Sequence, residues 1–244
     1  MINDGMPKIE KEISSFLLIG QSNMAGRGDF GEVEPIDNPD CFMLRMGRWQ
    51  KMSEPINPDR AIFGIEFHSG ISLGASFADS VANGFGVKVG LIPCADGGTF
   101  ISQWMPGEVL FDHAVMMCEL AARSSDIKAI LWHQGESDAN PECIGKYKEK
   151  FTKMAFELRK RLGNSKLPIL IGEISEKISD RWNLKDYPRK MNVILSELAS
   201  EIENCRLVKA ADLPLKADGI HFTSDSQRIL GARYFEAYKK LIEK

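Results

Sequence analysis

The stretch Phe16-Leu-Leu-Ile-Gly-Gln-Ser-Asn-Met-Ala-Gly-Arg-Gly28 decides how the rest of the chain is read. Phe16 to Ile19 are four consecutive apolar residues, the pattern of a short strand covered on both faces. Gly20 breaks the run and lets the backbone turn sharply. Ser22 follows two positions later, among small and polar residues. Parallel sheets open their crevices at the C-terminal ends of central strands, so a hydroxyl there is a candidate nucleophile. The same spacing also suits a plain turn whose serine caps a helix. The choice rests on partners further along.

Working outward, the chain alternates strand and helix signals. Asp29 to Phe67 is a long irregular stretch with one strand-like piece, Cys41–Arg45. Loops of that length are uncommon unless they serve a site. A helix is predicted over Ser69–Ala82, ended by Asn83-Gly84, and a strand over Val87–Pro93. A helix from about Glu108 to Arg123 precedes a strand over Ile127–His133. Pro141 opens a helix to Leu162, and Leu167–Gly172 is the next strand. Pro188 opens a helix to about Ile202, Cys205–Lys209 is a fifth strand, and Thr223 caps a last helix ending near Lys244. This order predicts an α/β protein, with a five-stranded parallel sheet between two helical layers, in one domain spanning residues 1–244.

Composition narrows the function. With 244 residues and 43% apolar content, the chain can bury a large core. A net charge of -3 and the lack of a basic stripe exclude a nucleic-acid partner. The five cysteines are scattered, without a C-x-x-C pair, which argues against a disulfide framework or zinc site and for reduced thiols. The first residues are charged where a signal peptide needs an apolar region, and no run reaches membrane-spanning length. The expectation is a cytoplasmic protein with no membrane partner and no cofactor or metal.

Four loops that follow predicted strands carry the chemistry, and a parallel sheet gathers such loops on one edge. Asp218-Gly-Ile-His221 sets a carboxylate three residues before an imidazole. One turn then lets Asp218 accept from Nδ1, which frees Nε2 to take a proton from Ser22. The plainer reading is a turn-capping Asp beside a half-buried His. Gly97-Gly98 is a source of backbone N–H groups for an oxyanion, and Gln134 can add a side-chain amide. Glu136, in His133-Gln-Gly-Glu136, is either a second orienter of His221 or a structural acceptor; His133 and Glu136 lack the third ligand zinc needs. Gln21 and Asn23 flank the nucleophile as candidates for substrate contact. His68 borders the cleft at most, and His113 falls within a helix. Gly26-x-Gly28-x-x-Gly31 matches a dinucleotide fingerprint, but no apolar helix follows it. G-x-S-x-G is absent.

Gly20-Gln-Ser-Asn-Met-Ala-Gly26, Gly97-Gly-Thr-x-Ile-x-x-Trp104, His133-Gln-Gly-Glu136 and Asp218-Gly-Ile-His221 together resemble the SGNH hydrolase superfamily. More narrowly, they are similar to its sialate O-acetylesterase and acetylxylan esterase branch, carbohydrate esterase family six. The resemblance implies a flavodoxin-like α/β/α sandwich and a metal-free serine esterase that removes acetyl groups from sugar hydroxyls. By position it makes Ser22 the nucleophile and His221 the general base. Gly98, or failing that Gly97, is the oxyanion glycine, with Gln134 in place of the superfamily's oxyanion Asn. The acid is Asp218 in most of the superfamily, while this branch has also given that role to Glu136. The substrates implied are acetylated xylo-oligosaccharides or sialic-acid-type sugars, and Trp104, less directly Trp182, would then stack on a sugar ring or else pack the cleft wall. Two other readings are a lipase or thioesterase of the same fold acting on longer acyl esters, and a carbohydrate-binding protein without activity.

Overall fold

The computed structural model describes residues 11–58, 68–178 and 183–243. Its centre is the run that opens the sequence reading. Strand β1, Ile13–Gly20, is buried from Ser15 onward. It pairs in parallel with β4, Lys88–Pro93, on one side and β5, Ser125–His133, on the other. Beyond β5 lie β6, Ile169–Gly172, and β7, Cys205–Val208, both parallel. Beyond β4 lie β2, Cys41–Arg45, and β3, Arg48–Lys51. The sheet order is β3-β2-β4-β1-β5-β6-β7.

Side chains alternate across a strand, so β1 feeds two cores at once. Leu17 and Ile19 join Ile92, Ile130 and Trp132 under one helical layer. Its helices are α3, Val109–Ala121, α4, Tyr147–Arg161, and α5, Tyr187–Glu201. Phe16 and Leu18 point to the other layer, formed by α2, Leu73–Phe85, and α6, Ser224–Ile242. There the Phe16 ring meets Phe77 and Tyr238 edge-on, at centroid distances of 4.9 and 5.2 Å. Each large side chain so buried contributes about 1.5–3 kcal/mol relative to exposure. A short helix, α1, Ser22–Ala25, follows β1 directly.

The sheet has seven strands where the sequence reading counts five. Cys41–Arg45 does pair with β4, but through only a short register, Cys41↔Val89 to Met43↔Leu91. β3 returns antiparallel after Met46 and Gly47, both at positive φ (51° and 78°), the backbone of a tight two-residue hairpin. Arg48-Trp-Gln-Lys51 lacks an apolar run, so nothing in it announced a strand. The helix expected from Ser69 starts at Leu73, because Ile71 is bridged to Gly28 by two backbone bonds of 2.9 and 3.1 Å. The helix expected from Pro141 begins in earnest at Tyr147, since Asn140 Oδ1 accepts the N–H groups of Glu142 and Cys143 and holds a turn there. Thr223 caps α6 as expected, its side chain accepting from Ser226 N.

Gly20 fixes the geometry at the sheet's C-terminal edge. Its φ is 136°, and a Cβ there would lie 2.0 Å from the carbonyl oxygen of His133. Only glycine lets β1 and β5 close together before the chain turns to Ser22.

Candidate active site

Ser22 opens α1, immediately past β1, and His221 lies on the connection between β7 and α6. Gly219, at φ 74°, donates its N–H to Lys216 O, and the resulting turn folds Asp218 back toward the imidazole. His221 Nε2 is 2.9 Å from Ser22 Oγ, and His221 Nδ1 is 2.8 Å from Asp218 Oδ2. With Nδ1–H donating to the carboxylate, Nε2 is left to accept the Ser22 hydroxyl. Burial alone pushes the Asp218 carboxyl up, but the N–H groups of His221 and Ile220 and the imidazole together hold it below its ordinary value. The His221 imidazole is lowered chiefly by burial, with Asp218 partly opposing. A base that stays neutral beside an ionised partner can take a proton from a hydroxyl.

Glu136 does not join this chain. Its Oε1 accepts from Asn23 Nδ2 at 2.6 Å, and no described hydrogen bond links it to His221. Its side chain is 1% exposed, and burial raises its carboxyl above the ordinary value. Of the two carboxylates proposed as the acid, the one in contact with the imidazole is Asp218. Asn23 is also not open to substrate: its amide is engaged by Glu136, the Ile220 carbonyl and the Phe222 N–H.

The loop after β4 carries Gly97 and Gly98; Gly97 is buried, and Gly98 is exposed at φ 71°. Thr99 anchors it, with Oγ1 donating to Asp96 O and accepting from Trp104 Nε1. Gln134 was expected to offer its amide to an oxyanion. Instead the side chain is fully buried, and Nε2 donates to Gln21 Oε1, Thr99 O and Asp138 Oδ2 at 3.1, 2.9 and 2.7 Å. Its donors are already used in tying the site's loops together. Asp138, which sequence reasoning passed over, also accepts from Ile101 N. Nothing in its loop position signalled that role.

Gln21 holds a different place. Its Oε1 accepts from Gln134 Nε2 and, at 3.4 Å, from Ser137 N, while its Nε2 has no acceptor among the described residues. Trp104 is corrected from sugar platform to core: it is 1% exposed and meets Trp132 edge-on at 5.6 Å. Trp182 lies outside the described residues. His113 is half-buried on α3, and His68 is exposed. Gly26 and Gly28 are explained by packing against Ile71 and Ser72, where a Cβ would fall within 2.8 Å of a neighbour, and no helix follows Gly31. Among the described residues no three His, Cys, Asp or Glu side chains converge as metal ligands, and no helix is long and apolar enough to cross a membrane.

The family model for "Carbohydrate esterase, sialic acid-specific acetylesterase" matches residues 12–240. The chain belongs to this carbohydrate esterase family. The carbohydrate esterase is 32% identical over 258 aligned positions to the probable carbohydrate esterase At4g34215 of Arabidopsis thaliana, covering 95% of this chain and 94% of that one. The crystal structure of the Arabidopsis protein superposes with a TM-score of 0.82 at 30% identity, over 94% of this chain and 98% of that chain. NanS shares the fold at a TM-score of 0.75 and 14% identity, over 96% and 98% of the two chains. XAC1771, a carbohydrate acetylesterase from Xanthomonas citri, shares it at 0.66 and 19%, over 93% of this chain and 56% of that chain. The family is one of carboxylic ester hydrolases, and the motifs that resemble the SGNH superfamily sit on the fold that resemblance implies.

Proposed function

We propose that this carbohydrate esterase removes O-acetyl groups from sugars through an acetyl-enzyme on Ser22. The observation that carries the reading is the unbroken chain Ser22 Oγ, His221 Nε2, His221 Nδ1, Asp218 Oδ2, with 2.9 and 2.8 Å between partners. His221 takes the Ser22 proton as Oγ attacks the acetyl carbonyl, and Asp218 stabilises the imidazolium that forms. The oxyanion is received by the N–H groups of Ser22 and Gly98. Collapse breaks the bond to the sugar oxygen, which leaves as an alcohol with the proton from His221. Water, activated by the same imidazole, then attacks the acetyl-enzyme and releases acetate.

Gln21 contacts the substrate in this reading. Its carbonyl is held by Gln134 and Ser137, which fixes the plane of the amide and leaves both N–H groups of Nε2 to donate. The substrate class is acetylated xylo-oligosaccharides or O-acetylated sialic-acid-type sugars; the family's description names the second of these.

Acetate release tests both parts. Wild-type protein hydrolyses p-nitrophenyl acetate, and Ser22→Ala lowers kcat by at least about a thousandfold. Equal rates in the two proteins remove the serine mechanism. Rates that hold or rise from acetyl to butyryl esters favour a lipase or thioesterase instead. A screen of acetylated xylo-oligosaccharides against O-acetylated sialic acid assigns the sugar.

A further inference from the structure

The residue beside the nucleophile reaches across to the segment that carries the base. Asn23 Nδ2 donates to the carbonyl of Ile220 at 3.2 Å, and Asn23 Oδ1 accepts the N–H of Phe222 at 3.1 Å. These two backbone groups flank His221 on either side. The Asn23 main chain is held as well, its carbonyl accepting from Gln227 Nε2 of α6 at 3.1 Å. One amide therefore straps the base-bearing segment onto the helix that starts at Ser22.

An amide can flip, and a flipped Asn23 would set donor against donor at Phe222 and acceptor against acceptor at Ile220. Glu136 prevents this. Its Oε1, buried on the loop after β5, accepts the same Nδ2 at 2.6 Å and admits only one orientation. The other oxygen, Oε2, is enclosed with no hydrogen-bond partner, and His133 Nε2 stands 3.9 Å from Oε1, beyond hydrogen-bond reach, so among the described residues Asn23 is the side chain to which this carboxyl is hydrogen-bonded. We propose that Asn23 is a positioning residue that sets His221 over Ser22 through the Ile220 and Phe222 backbone, and that Glu136 contributes by locking the Asn23 amide. This rests on the reading of Ser22 and His221 given above. It assigns Glu136 a need for an acceptor atom, not for a negative charge.

Steady-state hydrolysis of p-nitrophenyl acetate by the full chain tests it. Asn23→Leu, of similar shape without hydrogen bonds, lowers kcat by about 10- to 100-fold, the scale on which small misplacements of a reacting group act, with KM little changed. Glu136→Ala does the same. Glu136→Gln keeps an acceptor for Nδ2 and retains kcat within about fivefold of wild type. In the Asn23→Leu background, Glu136→Ala adds less than about a threefold loss, because residues acting through one contact are not additive. Multiplying losses in the double variant overturn the proposal. So does a Glu136→Gln variant as inactive as Asp218→Asn, since charge itself would then be required.

A second measurement makes no use of catalysis. Amide hydrogen exchange at Phe222 speeds by at least about tenfold in both Asn23→Leu and Glu136→Ala, relative to core amides of β1, as the strap opens locally. Unchanged protection there overturns the proposal even in a protein with no esterase activity. Wild-type protein as slow as Ser22→Ala overturns the esterase reading while leaving the exchange result to stand by itself.

Discussion

Asp218 grips His221 twice: Oδ1 accepts the His221 backbone N–H at 3.0 Å, and Oδ2 faces ring Nδ1 at 2.8 Å. Oδ1 also accepts from Ile220 N at 2.9 Å, so one carboxylate shapes the turn and selects the tautomer. Asp218→Asn separates these duties. The Asn oxygen still accepts from the two backbone N–H groups, while its NH2 faces Nδ1 and drives the proton to Nε2, where it meets the Ser22 hydroxyl. We expect kcat to fall by about 10³- to 10⁴-fold with a near-native melting temperature. Near-normal turnover in this variant removes Asp218 from the mechanism.

Activity needs a neutral His221, and burial lowers its pKa from the ordinary histidine value of 6.5. As pH falls through the lowered pKa the imidazole gains a proton, Nε2 can no longer accept from Ser22, and kcat/KM declines. The acid limb is therefore expected below 6.5. Asp218 is the group holding that pKa up against burial, so the residual activity of Asp218→Asn should show an acid limb at still lower pH. A limb above neutrality in the wild type contradicts the burial argument.

Gly20→Ala tests the close approach of β1 and β5. The added methyl would sit 2.0 Å from a backbone oxygen that cannot swing away, at a φ of 136° that L-residues rarely adopt. We expect a loss of more than about 4 kcal/mol in urea unfolding, or no folded protein at all. A variant with wild-type stability means that the strands can spread at this point.

Trp104→Phe separates core from cleft. The substitution removes the Nε1 bond to Thr99 Oγ1 at 3.1 Å and part of the packing on Trp132. Stability should drop by about 1–3 kcal/mol, while KM for an acetylated oligosaccharide stays near wild type. Unaltered stability with a raised KM would restore the indole to the substrate.

Much of the architecture was legible because it is written in local apolar runs. Phe16–Ile19, Ile127–His133 and Leu167–Gly172 each read as strands, and each holds one, the last from Ile169 onward. β3 was not legible, since an edge strand needs a neighbour more than it needs apolar residues, and that neighbour is β2. At the site, the spacing of Asp218 and His221 allowed their contact beside a plainer turn-capping reading, and the turn at Gly219 brings both about. The environments of Gln134, Asn23 and Trp104 were not, because a polar or aromatic side chain in a loop looks the same whether it faces solvent or a buried partner.

By itself the sequence determined the strand-helix order, the glycines that allow sharp turns and the residue types gathered at the sheet's edge. Those follow from side-chain size, backbone freedom and hydrophobic periodicity, which act over a few neighbouring positions. Tertiary structure alone decided which carboxyl meets the imidazole and which binds an amide, and which donors are already occupied. Ser22 meets His221 across 199 residues, and Asn23 meets Glu136 across 113. Pairings at that range are chosen by how the whole sheet packs, because a buried polar group must find its partner wherever the fold has brought one.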